Sequence, residues 1–121
     1  MLIRDFDEIA EEQVTLPGIE GVMTKNAFVD HEALPGFHVR LYRLSPGGRS
    51  TLHWHRQQHV YHVLSGEGEF VGKDDDKTAI RAGNVLIVPS LDPHMLVNTS
   101  HDEDLCLFDV VGPCGYATDE N

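Results

Sequence analysis

Cysteine is scarce in this sequence, and that scarcity excludes one way of building a small protein. A chain of 121 residues with two cysteines, Cys106 and Cys114, has no disulfide framework and no C-x-x-C spacing, so its stability has to come from a hydrophobic core. Both thiols are expected to be reduced, with Cys106, inside the apolar run LCLFDVV, read as a small buried hydrophobe. Basic residues are also few, 9 against 20 acidic ones. The formal net charge of −11 repels a phosphate backbone, and no Lys/Arg cluster offsets it locally, which argues against a nucleic-acid partner. Long apolar runs are missing: the longest, such as Val85-Leu86-Ile87-Val88, falls far short of the ~20 residues of a membrane span. The opening MLIRDFDEIAEE turns acidic at once and lacks the basic flank and apolar stretch of a secretory signal, so the expected compartment is cytoplasmic.

What the chain does have is a series of short β-rich runs. From Phe37 onward they are FHVRLYRL, HVYHVLS, EFVG, TAIRAG, NVLIVP, HMLVN and LCLFDVVG, separated by SPGG, GEG, KDDDK, SLDP and TSHDED. Gly and Pro stand between the runs rather than within them, as antiparallel strands joined by tight turns require. An all-β sandwich or barrel is therefore expected, in one domain spanning 1–121 with a core barrel from about 36 to 113. The first thirty or so residues look different in kind. DFDEIAEEQ is read as one short helix stopped by the following TLPG. The acidic run Asp74-Asp75-Asp76 lacks the alternating ligand spacing of a calcium loop and is read as a hairpin tip.

Histidine is where chemistry gathers. HWHRQQH places His53, His55 and His59 within seven residues of a chain that has eight histidines. His53 and His55, two apart in an expected strand, leave the same face ~7 Å apart and can share one ion. On a straight strand His59 would lie ~13 Å further along, so the chain has to bend, and Arg56-Gln57-Gln58 offers the place. The His55/His59 spacing of i, i+4 also suits a zinc-protease helix, but the adjoining Glu of that motif is absent and VYHVLS continues as strand. If His59 points inward, Tyr61 and Val63 share its face, and His62 points outward and is no ligand. Nothing in the spacing recruits His31, His38 or His101, which read as surface or loop residues.

A second segment supplies the remaining signal. Gly47, His53, His55 and Gly66, followed by Gly83, Pro89, His94 and Asn98, fall on the paired signatures of the cupin superfamily, which this chain resembles over roughly residues 36–113. The resemblance implies a jelly-roll β-barrel holding one divalent metal, and a homodimer. Two positions depart from the family pattern: Leu91 replaces an inner Gly, and His59 stands where the first signature has Glu. Either four imidazoles hold the metal or His59 turns away and three remain. A subset of small cupins has His at this position, and similarity to them implies His53, His55, His59 and His94 as the ligand set. Four neutral ligands would leave the ion its full charge, making it a stronger Lewis acid for an anionic or enolisable oxygen. Imidazoles suit Zn, Cu, Fe and Ni, while Mn prefers more oxygen; all five stay open.

Around that site VRLYRL puts Arg40, Tyr42 and Leu44 on one strand face. An inward Arg40 is tolerable chiefly if it meets an anion or a carboxylate, which makes it a substrate anchor or, alternatively, half of a structural ion pair. Tyr42 shares its face, and Tyr61 is either a hydrogen-bond donor near the metal or simply core. Arg40, Tyr42 and Tyr61 are the candidate catalytic residues. Two functions stay open: a metalloenzyme of lyase, isomerase or dioxygenase type acting on an anionic or carbonyl-containing small molecule, a carboxylate for example, and a non-catalytic metal-dependent binding or sensing module.

Overall fold

Alternation in the sequence becomes alternation in space. The computed structural model describes residues 1–29 and 34–114, with Cys114 described for its backbone alone. Nine strands follow in chain order: β1 (Glu12–Gln13), β2 (Glu20–Phe28), β3 (His38–Arg49), β4 (Gln57–Ser65), β5 (Glu67–Val71), β6 (Lys77–Arg81), β7 (Val85–Val88), β8 (Met95–Asn98) and β9 (Leu105–Cys114). Every pairing is antiparallel, in the order β6-β5-β8-β3-β9-β4-β7, with β2 on the other edge of β3 and β1 on β2. The sheet curls into a β-barrel, as expected. No helix among the described residues is long and apolar enough to cross a membrane.

The core forms where inward positions of several strands meet. Leu44 of β3, Val63 of β4, and Leu105 and Leu107 of β9 are each 1% exposed or less. Burying one such leucine stabilises the fold by about 1.5–3 kcal/mol, and truncating it to alanine costs about 2–5 kcal/mol. Strand β4 shows the same alternation: His59, Tyr61 and Val63 are buried, while Val60, His62 and Leu64 are exposed. His62 thus faces outward, as its spacing from His59 predicts. Between β4 and β5 the chain turns on Gly66 at φ +86, where a Cβ would lie 2.2 Å from the Asp104 carbonyl. No side chain fits there. The acidic run does sit at the tip of the β5–β6 hairpin, as a single 3-10 turn over Lys73–Asp75.

Five expectations need correction. DFDEIAEEQ yields only one 3-10 turn, Phe6–Glu8, followed by β1. β2, nine residues long, was not expected at all; it pairs with β3 and closes one side of the barrel. SPGG does not end the strand before it, because β3 runs on to Arg49 through an irregularity in its pairing with β2. His53 and His55 do not sit in a regular strand: His53 makes one isolated bridge, to His94. Cys106 is only half-buried, since alternation in β9 turns Leu105, Leu107 and Asp109 inward and Cys106 outward. His31 and the side chain of Cys114 lie outside the described residues.

Candidate metal centre

Two loops bring three histidines to a single point, and one strand sets a fourth beside them. His53 and His94 exchange backbone hydrogen bonds, 3.1 Å from His53 N to His94 O and 2.9 Å in return, so the two loops are locked face to face and their rings lie 4.3 Å apart. Leu91 N donates to His55 O at 2.8 Å and Ser90 Oγ to Arg56 O at 2.6 Å, which clamps the 53–56 segment against the 89–94 loop. The chain bends at Arg56, the place the sequence suggests, and β4 then carries His59 back toward the others. Ring centroids of His55 and His59, and of His59 and His94, are both 4.9 Å apart. His53, His55 and His94 each offer a ligand atom within 4.8 Å of the others, a group able to hold a metal ion. His59 adjoins this group, its Nε2 lying 3.0 Å from that of His55.

Hydrogen bonding fixes which nitrogen of each ring faces inward. Nδ1 of His53 lies 2.7 Å from Thr51 O, that of His55 2.9 Å from Gln57 O, and that of His94 2.8 Å from Asp92 O. A carbonyl oxygen only accepts, so each Nδ1 carries the proton and each neutral ring keeps its lone pair on Nε2. His59 follows the same rule with a carboxylate: its Nδ1 donates to Asp109 Oδ1 at 2.9 Å. The facing Nε2 atoms of His55 and His59 are then two lone pairs in close approach, and the buried Nε2 of His94 has no hydrogen-bond partner. Both features suit a cation between the rings, so the residues present fit the divalent metal that the fold implies. Burial, with smaller contributions from the neighbouring histidines, lowers the His94 pKa to about 4, and burial followed by His59 lowers that of His55. At neutral pH both rings are thus neutral and available as ligands.

Asp109 is the residue that sequence reasoning missed. It is 0% exposed, and it takes His59 Nδ1 on one oxygen and Arg40 Nε on the other, at 2.8 Å. The available signal was a lone carboxylate at an inward position of an otherwise apolar strand. Arg40 is therefore inward, with a buried carboxylate as its partner. Its guanidinium also lies over the Tyr42 ring, 4.6 Å from the centroid. Tyr61 stacks on His59 at 4.9 Å and 9°. Burial foremost, with Asp109 adding to it, holds the Tyr61 phenol well above its ordinary pKa, and burial likewise raises Tyr42 against the pull of Arg40. Both phenols stay protonated and can donate. His38, read from sequence as a surface or loop residue, is instead half-buried at the start of β3, with its Nε2 2.7 Å from Asn26 Oδ1. His101 is exposed in a turn, as read.

These groups open into a cavity of about 580 Å³, within the range typical of small-molecule sites. His38, Arg40, His53, His55 and His59 form part of its wall, with Tyr42 and Tyr61 beside them. Val14, Leu16 and Ile19, from the segment between β1 and β2, contribute an apolar stretch of that wall.

Comparison with known proteins agrees with this architecture. The chain is similar to the polyketide cyclase RemF from Streptomyces resistomycificus (20% identity, 93% of this chain and 79% of that one, TM-score 0.82). It is also similar to a predicted oxalate decarboxylase from Thermotoga maritima (26% identity, 93% and 99%, TM-score 0.81) and to a sugar phosphate isomerase from Silicibacter pomeroyi (24% identity, 89% and 73%, TM-score 0.74). The family model for the cupin domain matches residues 40–111, more than half of the chain, and with both histidine signatures on one barrel the chain belongs to the cupin family.

Proposed function

We propose that this chain is a metal-dependent cupin enzyme acting on a small anionic or carbonyl-containing molecule, with His53, His55, His94 and His59 as metal ligands. The observation that carries the reading is the convergence of Nε2 lone pairs, each ring fixed through its Nδ1, at the wall of a cavity that also holds Arg40. His59 joins as fourth ligand because its Nε2 already stands against that of His55. A divalent Zn, Fe, Ni, Mn or Cu ion, when bound, supplies a Lewis acid for a carbonyl or carboxylate oxygen and, for Fe or Cu, redox chemistry. Arg40, its charge matched by Asp109, offers its remaining N–H groups as hydrogen-bond donors to the anionic part of the substrate. Tyr61, stacked on His59, presents a protonated phenol, and Val14, Leu16 and Ile19 give the cavity an apolar stretch of wall. The cyclase, decarboxylase and isomerase names of the similar structures span different reactions, so the scaffold does not choose among lyase, isomerase and dioxygenase chemistry.

One observation favours the alternative, a non-catalytic metal-dependent binding module. No carboxylate lines the cavity among the described residues, so His38 is the main candidate for moving a proton apart from the ligand set and the phenols.

Elemental analysis of the native protein, paired with acetate titration, tests the proposal. One metal per chain is expected, lost when His53 and His55 are both changed to Ala and kept in His62→Ala, and acetate binding should require that metal. Full metal occupancy in the double variant would sink the site.

A further inference from the structure

We infer that the ligand of this cavity has an acidic or enolic head joined to an apolar body; this rests on the metal-dependent reading above. The register of two strands sets a polarity gradient along the wall. Asn26 pairs with Arg40, Thr24 with Tyr42 and Val22 with Leu44, and all six line the cavity. Within four residues, ~13 Å of strand, the wall passes from a charged end to a wholly apolar one. The charged end is joined to the histidines through Asp109, which bonds both Arg40 and His59.

The N-terminal segment continues the apolar end. Val14 N donates to Val22 O at 2.9 Å and Ile19 N to Leu16 O at 3.1 Å, which pins the Leu16-Pro17-Gly18 turn over β2. Gly18, at φ +82, sits so close to Thr51 that a Cβ would approach its methyl to 2.6 Å, and the carbonyl of Thr51 is the one that holds His53. The turn therefore stands beside the metal set. Leu16 is 65% exposed yet contributes to the cavity wall. A leucine held in a fixed turn at such a place gains its contacts when an apolar ligand covers it.

Charge places the acidic head. Arg40 is already matched by the fully buried Asp109, so among the described residues of this part of the wall no cation is left to hold an anion by charge, and the head goes to the metal. The rest of the ligand then meets paired charge or apolar wall.

Calorimetric titration of the Zn²⁺-loaded full chain with acetate, butanoate, hexanoate, octanoate and oxalate tests this. Affinity should rise by about fourfold for each added methylene until the cavity is filled. Hexanoate should bind more tightly than acetate, with a heat-capacity change that grows more negative along the series. Leu16→Ser and Ile19→Thr, each confirmed as folded by its melting curve, should flatten that rise. Binding of acetate and oxalate with no gain along the series would overturn the inference and leave the metal site standing, as would an unchanged slope in both variants. If none of the acids binds, the metal-dependent reading itself fails and this inference falls with it.

Discussion

His59 donates from Nδ1 to the buried carboxylate of Asp109 at 2.9 Å, across fifty residues of sequence. That contact fixes the ring's tautomer and aims Nε2 at the other histidines, the role that carboxylates commonly play behind metal-bound histidines. Asp109→Asn keeps the shape and removes the charge, so metal affinity should fall by about 10- to 100-fold. Competition with a chromophoric chelator measures it, and an affinity within about twofold of the parent would show that Asp109 serves only Arg40.

This pair also shows where a linear reading stops. From Phe37 onward the strands were legible because β-branched and aromatic residues alternate with polar ones and the turn residues stand between them. β2 was not legible: Gly21, Lys25 and Asn26 dilute its pattern, and a shift in pairing between Asn26 and Phe28 breaks its period. Spacing suggests His53, His55 and His59 together, and His94 comes in only through the resemblance to the cupin signatures. Asp109 and His38 could not be read in either way, because each takes its role from a residue distant in sequence, Asp109 from His59 and Arg40, and His38 from Asn26.

Leu91 stands where the family signature has Gly, and it pays for this with φ +67, in the left-handed region that costs a branched side chain about 1–2 kcal/mol. Its side chain is 43% exposed and loses little if removed. Leu91→Gly should therefore raise stability by about 0.5–1 kcal/mol, after allowing for the greater freedom of glycine in the unfolded chain. A thermal melt reads this as a rise of a few degrees. A lower melting temperature would mean that the leucine side chain contributes packing beyond its exposure.

Glu11 and Arg43 tie the N-terminal segment to β3 through paired contacts of 2.9 and 2.6 Å. Hydrogen bonds from Arg43 hold the Glu11 carboxyl below its ordinary value of 4.5. A carboxylate with a lowered folded pKa stabilises fully above the unfolded value, and the contribution is lost as pH falls through the folded one. The pair is largely exposed, so Glu11→Gln should cost less than about 1 kcal/mol at neutral pH. Urea melts of parent and variant should converge as the pH falls below the carboxyl's ordinary value and through its lowered folded one. A difference that persists in acid would assign the effect to packing rather than charge.

His59→Glu restores the ligand of the commoner cupin signature, and the structure shows why that change alone should fail here. The new carboxylate would stand against Asp109, which is 0% exposed, with Arg40 the cation bonded to that carboxylate. Two buried like charges destabilise each other, so the single variant should melt well below the parent. Adding Asp109→Asn removes one of the two charges and should recover much of the loss, giving a coupling of about 1–3 kcal/mol between the positions. The paired variant should keep its metal, since carboxylate is an acceptable ligand for these ions, but bind acetate more weakly because the ligand set on the ion itself then carries one negative charge, even with the net charge of the surroundings unchanged. Melting curves of the four proteins and acetate titration at equal metal occupancy provide the test. Additivity within about 0.5 kcal/mol would separate Asp109 from the ligand position, and equal acetate affinity would remove the argument that His59 tunes the site for an anion.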